Sequence, residues 1–165
     1  VVALSAEWLG SLMIMLLSTF LLIPGLIALY ARQSLAAGRL GLVSFLLAML
    51  GTLMLFGHQW GAAFVLPVIA QDAPALLDSM VIDTTAVLAG GVLLTSLLMT
   101  IGWFLFSVAS LRARVLPRAS AWVTMLGAIL FVLMGLMNIK LDGVVLYLGI
   151  AWMGAWLWLE RVPKG

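Results

Sequence analysis

Long apolar runs separated by short polar stretches fill most of the chain. Each run approaches the roughly 20 residues that an α-helix needs to cross the hydrocarbon core of a bilayer. None of the runs contains an Asp, Glu, Lys or Arg. The pattern predicts an all-α integral membrane helical bundle. We expect a single transmembrane domain with five transmembrane helices, at residues 8–30, 40–66, 84–111, 120–139 and 144–159.

The composition of the chain agrees with a membrane environment. Of the 165 residues, 65% are hydrophobic and 8% are charged, whereas soluble domains average about 45–50% apolar and about 25% charged residues. A soluble fold of this length could not bury so much apolar surface, so lipid must cover part of it. The few basic residues lie between the apolar runs, which argues against a nucleic-acid-binding face.

The distribution of charge predicts an orientation in the membrane. When the polar stretches are assigned alternately to two sides, one side receives seven of the eight basic residues: Arg32, Arg39, Arg112, Arg114, Arg118, Arg161 and Lys164. The other side receives Lys140, together with Glu7, Asp72, Asp78, Asp83 and Asp142. Lys and Arg in short loops mark the cytoplasmic side. We therefore expect the N-terminus outside and the C-terminus in the cytoplasm.

The first two runs contain features that interrupt a regular helix. Pro24 predicts a kink in the first helix, because proline removes one intrahelical hydrogen bond. Residues 31–39 are expected to form the loop that follows. The second run extends to residue 70 with Pro67 inside it, which is longer than a bilayer requires. Either this helix tilts and projects from the membrane, or residues 57–70 form an interfacial segment. Asp83 is expected to cap the third helix.

His58 is the sole histidine, and it lies beside Gln59 and Trp60 in the outer half of the second predicted helix. Polar groups within membrane helices are candidates for function. His58 is therefore a candidate cofactor-binding residue for a haem or a chlorophyll-type pigment, or a proton-relay group. The alternative, which we favour, is a histidine near the outer interface that hydrogen-bonds a neighbouring helix. No cofactor is predicted on that interpretation, and residues 57–70 are where a special site is expected.

Small residues recur at spacings that let membrane helices approach closely. The predicted helix-packing residues are Gly57 and Gly61 in the second helix, Ala86 and Gly90 in the third, and Gly127 and Gly135 in the fourth. Packing within the chain is favoured over contact with another chain. The Ser and Thr residues of the apolar runs are expected to hydrogen-bond to the backbone of their own helix.

The sequence contains no residue set typical of a catalytic or metal site. Cysteine is absent, which excludes disulfides and thiolate metal sites, and the spacing of the acidic residues matches no standard calcium loop. Proton-coupled pumps and many ion-coupled transporters need a charged group inside the membrane, and the predicted helices contain none. We expect the protein not to be an enzyme.

Two stretches carry a family resemblance. Residues 102–122 contain the basic turn Leu111–Arg118 between two apolar runs, and residues 60–77 contain Phe64, Pro67 and Pro74. Together, about a third of the chain resembles uncharacterised small bacterial multispan membrane proteins of the DUF4386-like type. The resemblance implies a multi-pass protein of the bacterial cytoplasmic (inner) membrane, and it implies no particular activity.

Three functions fit these observations. The first is a non-enzymatic accessory or structural subunit, which packs against other membrane protein subunits in a larger assembly. It is favoured by the missing catalytic set, the small-residue positions and the tryptophan-rich last helix. The second is a small transporter or channel for an uncharged or lipophilic solute. The third is a pigment- or haem-holding subunit that uses His58. The expected partners are the lipid bilayer and other membrane subunits, without nucleic acid.

Overall fold

A computed structural model describes residues 5–73, 75, 86–137 and 143–161, and all regular structure in these ranges is helical. The elements are α1 (Ala6–Trp60), a π-helical turn (Gly61–Val65), α2 (Leu66–Asp72), α3 (Ala86–Ala113), α4 (Arg118–Leu136) and α5 (Val144–Arg161). The predicted all-α class is confirmed for this part of the chain. Asp78, Asp83, Lys140 and Asp142, including the predicted cap at Asp83, lie outside the described residues.

Two helical stretches are long and apolar enough to cross a membrane. They are Ala6–Asp72, which joins α1, the π-helical turn and α2, and Gly90–Ala113 within α3. The apolar parts of α4 and α5, Arg118–Leu133 and Val144–Glu160, are shorter. The two long stretches are consistent with a membrane protein.

Helix α1 folds back on itself at one residue. Gly38 has φ 56° and ψ −147°, the only non-helical torsions inside α1. This combination is essentially restricted to glycine, since a Cβ would clash with the neighbouring backbone. Gly38 divides α1 into arm A, residues 6–37, and arm B, residues 39–60. The prediction of a loop at 31–39 is therefore wrong, because helix continues on both sides of a single glycine.

Aromatic contacts show that arms A and B run antiparallel. The ring of Tyr30 stacks on that of Phe45 with 4.4 Å between centroids, and Phe20 lies 6.2 Å from Phe56. The residues of each pair lie at similar distances along the chain from Gly38, one on each side, as expected for two antiparallel helices joined at Gly38. Pro24 lies inside arm A, where the torsions stay helical.

Arm B continues without a break in helical structure as far as Asp72. Pro67 is the second residue of α2, and it has no N–H to donate to the carbonyl of residue 63, against which its ring would press. The π-helical turn Gly61–Val65 directly precedes it, and such a turn widens the backbone where a regular α-helical bond cannot form. Residues 57–70 are thus continuous helical structure that extends arm B.

Glycines bring arm B and α3 into backbone contact. A Cβ added at Gly51 would lie 2.5 Å from the backbone nitrogen of Met99, and one added at Gly102 would overlap the backbone of Ala48. Each helix therefore has a glycine at the point where the backbone of the other helix packs against it. Moving forward along arm B corresponds to moving backward along α3, so these two helices are also antiparallel.

Helices α4 and α5 repeat this arrangement. A Cβ at Gly127 would overlap the backbone of Leu146, and one at Gly149 would lie 2.6 Å from the backbone nitrogen of Thr124. Contacts between α3 and α4 join the two pairs into one bundle. The close approach maximises dispersion contact, which drives helix association in lipid.

The core of the bundle is filled by large side chains. Those that are almost completely buried include Leu26, Leu29, Met99, Trp103, Phe106, Leu146 and Met153. Trp103 lies in the interior of α3 and is 0% exposed.

Most of the described buried hydroxyl groups bond within their own helices, as predicted, whereas the hydroxyl of Thr100 has no hydrogen-bond partner. Ser107 donates to the carbonyl of Trp103 at 2.8 Å, Thr52 to that of Ala48 at 2.7 Å, and Thr124 to that of Ser120 at 2.9 Å. Each hydroxyl thus has a partner in its own helix, and that of Thr52 also lies 3.5 Å from Sδ of Met99 in α3.

Basic residues gather at the end of the bundle that holds Gly38. Arg32 donates from Nη2 to Oε1 of Glu160 at 3.0 Å and from Nε to Oε2 at 3.3 Å, which ties arm A to the end of α5. Both side chains are about 40% exposed, so the pair contributes at most about 1 kcal/mol. We call this end, which also includes the turn at residues 114–117, the hairpin end.

We expect Gly38→Ala to destabilise the protein by about 1–3 kcal/mol, because alanine is strained at these torsions. No neighbouring atom lies near the new methyl group, so the effect is conformational rather than steric. Gly25→Ala, also in open space in arm A, is the control, and it should be neutral or stabilising. The free energy of unfolding is measured by SDS titration in mixed micelles. Equal values for the two variants would refute a special role for Gly38.

We expect Gly102→Ala to destabilise the protein by about 1–3 kcal/mol, because the methyl group forces α3 away from Ala48. Gly91→Ala in the same helix is the matched control, since open space surrounds Gly91. The same SDS titration compares the two. A Gly102→Ala protein as stable as Gly91→Ala would contradict the backbone contact.

Candidate functional site

A cavity of about 280 Å³ lies at the end of the bundle opposite the hairpin end. Arm A, arm B, α3, α4 and α5 all contribute to its wall. The polar residues that line it are His58, Gln59, Thr95, Ser96 and Tyr147, and the apolar ones include Leu12, Met15, Leu55, Ala62, Val92 and Phe131. Ligand pockets typically have this mostly apolar lining with a few convergent polar groups, in volumes of roughly 300–1,000 Å³.

Gln59 is the buried polar residue of this wall. Its side chain is 4% exposed, and its Oε1 atom has no hydrogen-bond partner. Gln59 lies two helical turns beyond Thr52, so it shares the face of arm B that packs inward. A buried acceptor left unpaired costs about 1–3 kcal/mol. This oxygen is itself enclosed by protein atoms and is not presented to the cavity, although other atoms of Gln59 line it.

Thr95 and Ser96 present oxygen atoms that can only accept. The hydroxyl of Thr95 donates to the carbonyl of Gly91 at 2.8 Å, and that of Ser96 donates to the carbonyl of Val92 at 3.0 Å. Each hydroxyl has one hydrogen, which these bonds use, while lone pairs remain on the oxygen. The wall of the cavity at α3 therefore offers acceptors.

His58 contributes to the same cavity, although its side chain is exposed. The structure thus brings His58 together with Gln59, Thr95 and Ser96, which are distant in sequence. Among the described residues, no group of three or more His, Asp or Glu residues could hold a metal ion. A role of His58 in holding a haem or a chlorophyll-type pigment stays a prediction.

The described residues that line the cavity include only a small number of bases and hydroxyls. The Ser96 hydroxyl bonds to the backbone of its own helix, whereas an activated nucleophile needs a hydrogen bond to a base. None of the described residues that line the cavity is an Asp, Glu, Lys or Arg. The arrangement can hold an uncharged molecule and satisfy its polar group.

The predicted helix-packing residues have different surroundings. Gly127 packs against the backbone of α5, whereas a Cβ at Gly57, Gly61 or Gly90 would meet nothing within 4 Å. The small-residue spacing at these three positions therefore faces outward from the chain instead of joining two of its helices. The surroundings of Ala86 and Gly135 lie outside the described part of the structure.

Sequence reasoning missed the buried glutamines. Gln59 entered only as a neighbour of His58, and Gln33 was not considered, although it is 0% exposed and neither amide atom has a partner. Gln59 interrupts an apolar stretch, which was the available signal, whereas Gln33 stands between Arg32 and Ser34 in the stretch predicted as a loop. Glutamine carries no charge, so the rule that charged groups within membrane helices mark function does not identify these residues.

No protein-family model, no curated protein and no solved structure matches the chain. The resemblance to DUF4386-like proteins therefore stays a prediction. The cavity and its lining residues are the basis on which a function can be inferred.

Proposed function

We propose that the protein is a five-span membrane protein that binds a small uncharged or lipophilic solute in this cavity and carries it across the bilayer without chemical change. The observation that carries the proposal is the cavity itself, built by both arms of α1 and by α3, α4 and α5, with a mostly apolar lining and a few polar side chains. The proposed location is the bacterial inner membrane, with the N-terminus outside and the C-terminus in the cytoplasm.

The exposure of apolar side chains supports a membrane location. Only 22% of the most apolar window of Ala6–Asp72 is buried within the chain, and 33% of that of Gly90–Ala113. Ile14 is 69% exposed and Leu17 is 59% exposed. The core helix of a soluble protein would be mostly buried, so a lipid environment accounts for these surfaces better than water does.

Helix length and charge support five spans. Helix α4 has 19 residues and α5 has 18, which correspond to about 28 and 27 Å, close to the roughly 30 Å of hydrocarbon. Arg39, Arg114 and Arg118 are all exposed near the hairpin end. If the hairpin end lies on the cytoplasmic side, these arginines are placed as the positive-inside rule predicts.

Passage of a solute requires the bundle to change shape. The cavity opens at one end, and Met99, Trp103 and Phe106 of α3 are fully buried between it and the hairpin end. A carrier would therefore separate arm B from α3 below the cavity to open the second side. The uncharged lining disfavours coupling to an ion, so the solute would follow its own gradient.

A second candidate function is an accessory subunit in a larger assembly. Gly57, Gly61 and Gly90 have open space for a Cβ, and Trp122, Leu126 and Ile129 line a separate apolar groove on α4. Such surfaces suit close contact with the helix of another subunit. Extraction in mild detergent distinguishes the two candidates, because a subunit should co-purify with its partners.

Single cysteines test the proposed orientation, since the chain has none of its own. We expect Ser5→Cys to react with a membrane-impermeant maleimide in intact spheroplasts. Leu35→Cys and Ala119→Cys, both exposed near the hairpin end, should react only after lysis, because the bilayer separates them from the reagent. Labelling of all three in intact cells would contradict the orientation.

Proteoliposomes test transport. We expect uptake of small neutral solutes several-fold above that of protein-free vesicles, and we expect Ala62→Trp to abolish the excess, because the indole fills the cavity that Ala62 lines. Ala36→Trp, at an exposed position near the hairpin end, is the matched control and should retain uptake. Equal rates with and without protein across the solute panel would refute the transport proposal.

A further inference from the structure

One exposed face of α4 combines an apolar groove with a basic residue at the hairpin end. We infer that this face binds one anionic phospholipid of the cytoplasmic leaflet, with an acyl chain in the groove and the headgroup phosphate at Arg118. The inference rests on the membrane location and orientation of the proposed function, and it is independent of transport.

The groove lies along the exposed side of α4 and has a volume of about 360 Å³. The residues that line it carry no charge and are Trp122, Val123, Met125, Leu126 and Ile129. Trp122 is 57% exposed and Leu126 is 53% exposed. At a rise of about 1.5 Å per residue, the groove spans about 10 Å of the helix axis, which is about two-thirds of one hydrocarbon leaflet. This length and this lining suit an acyl chain.

Arg118 lies on the same side of α4 as the groove. Trp122 follows Arg118 by four residues and Leu126 follows it by eight, spacings that place side chains on one face of a helix. Arg118 is the first residue of α4, and its side chain is exposed. Because α4 begins at the hairpin end, Arg118 lies at the depth of the lipid headgroups when the groove lies in the hydrocarbon.

The charge of Arg118 has no partner among the described residues, where it makes no ion pair. Glu160 is the described carboxylate at the hairpin end, and it pairs with Arg32. Arg112 and Arg114, which lie close before Arg118 in the chain, are also exposed. A guanidinium group binds a phosphate through two parallel hydrogen bonds, and the cytoplasmic leaflet is the one rich in anionic lipid. An anionic phospholipid therefore supplies the charge that this end of α4 lacks.

Trp122 lies between the basic residue and the rest of the groove, about 6 Å from Arg118 along the helix axis. Its ring lines the groove. An indole combines an apolar ring with an N–H donor, which is why tryptophan is enriched at the boundary between hydrocarbon and headgroups. At this depth the N–H can donate to an ester oxygen of a phospholipid whose chain occupies the groove.

The lining fits a flexible chain better than a rigid helix. It includes no Gly, Ala or Ser, whereas the helix pairs of this bundle meet at glycines. The small residues Ala121, Gly127 and Ala128 of α4 are buried inside the bundle. A partner helix, the occupant that an accessory subunit would require, therefore finds no small-residue surface that permits close approach. An acyl chain adapts to bulky side chains by rotation about its own bonds.

Native mass spectrometry of the whole chain, purified in detergent, tests the inference. The chain is mixed with equal amounts of palmitoyl-oleoyl phosphatidylglycerol and palmitoyl-oleoyl phosphatidylcholine, which have the same acyl chains and differ in net headgroup charge. We expect the first bound lipid to be phosphatidylglycerol, with a preference of roughly fivefold, the ratio that one basic residue near an anionic headgroup produces.

A matched pair of substitutions assigns the preference to Arg118. Arg118→Gln removes the charge at the end of the groove, so we expect the preference to fall below about twofold. Arg39→Gln removes the same charge at an exposed position of arm B, also at the hairpin end. In the described part of the chain, arm B makes no contact with α4, so we expect Arg39→Gln to keep the preference of the unmodified chain.

A second pair of substitutions tests the groove. Leu126→Trp fills the groove and leaves Arg118 in place, so we expect the bound fraction of both lipids to fall several-fold. Leu50→Trp makes the same change on arm B, at a residue that is 49% exposed against 53% for Leu126. We expect Leu50→Trp to retain lipid as the unmodified chain does.

The outcomes separate this inference from the proposed function. Equal binding of the two lipids by the unmodified chain would overturn the inference without any variant, and a preference that survives Arg118→Gln would overturn the role of Arg118. Co-purification of a second membrane protein that Leu126→Trp releases would place a partner helix in the groove and overturn the lipid. Lipid preference without uptake in proteoliposomes would uphold the inference and refute transport, whereas uptake without lipid preference would do the reverse.

Discussion

Backbone-to-backbone contact at two helix pairs holds the described bundle together. Gly51 and Gly102 join arm B to α3, and Gly127 and Gly149 join α4 to α5. In lipid, burying apolar side chains brings little gain, so helix association depends on close dispersion contact, which small residues permit. Helices α3 and α4 then connect the two pairs through the turn at residues 114–117. The positions of all other side chains, including those of the cavity, follow from these contacts.

The two ends of the bundle differ because their connections differ. At the hairpin end, one glycine reverses α1 and four residues join α3 to α4. At the opposite end, longer segments separate α2 from α3 and α4 from α5. Short turns bring neighbouring helices together, whereas longer connections allow their ends to lie further apart. The cavity lies at the end with the longer connections, where five helical rods surround it.

Polar groups in the interior divide into two classes. Most of the described serine and threonine hydroxyls are satisfied by their own helices and add little to the specificity of packing, although the hydroxyl of Thr100 has no partner. Glutamine has no such local bond in this bundle, and Gln33 and Gln59 carry buried amide atoms without partners. Gln59 is distinguished from Gln33 by the cavity beside it. The same residue type therefore borders a cavity in one place and is enclosed by packing in the other.

The sequence by itself determined the helical class, the apolar runs and the grouping of basic residues, because these depend on composition and order along the chain. It also indicated residues 57–70 as the place to look for a site, and three residues of this range, His58, Gln59 and Ala62, line the cavity. Only the tertiary structure decided that Gly38 rather than a loop reverses the chain, and that Gly51, Gly102 and Gly149 meet other helices. Contact depends on what the opposite helix presents, and spacing within one helix contains no such information.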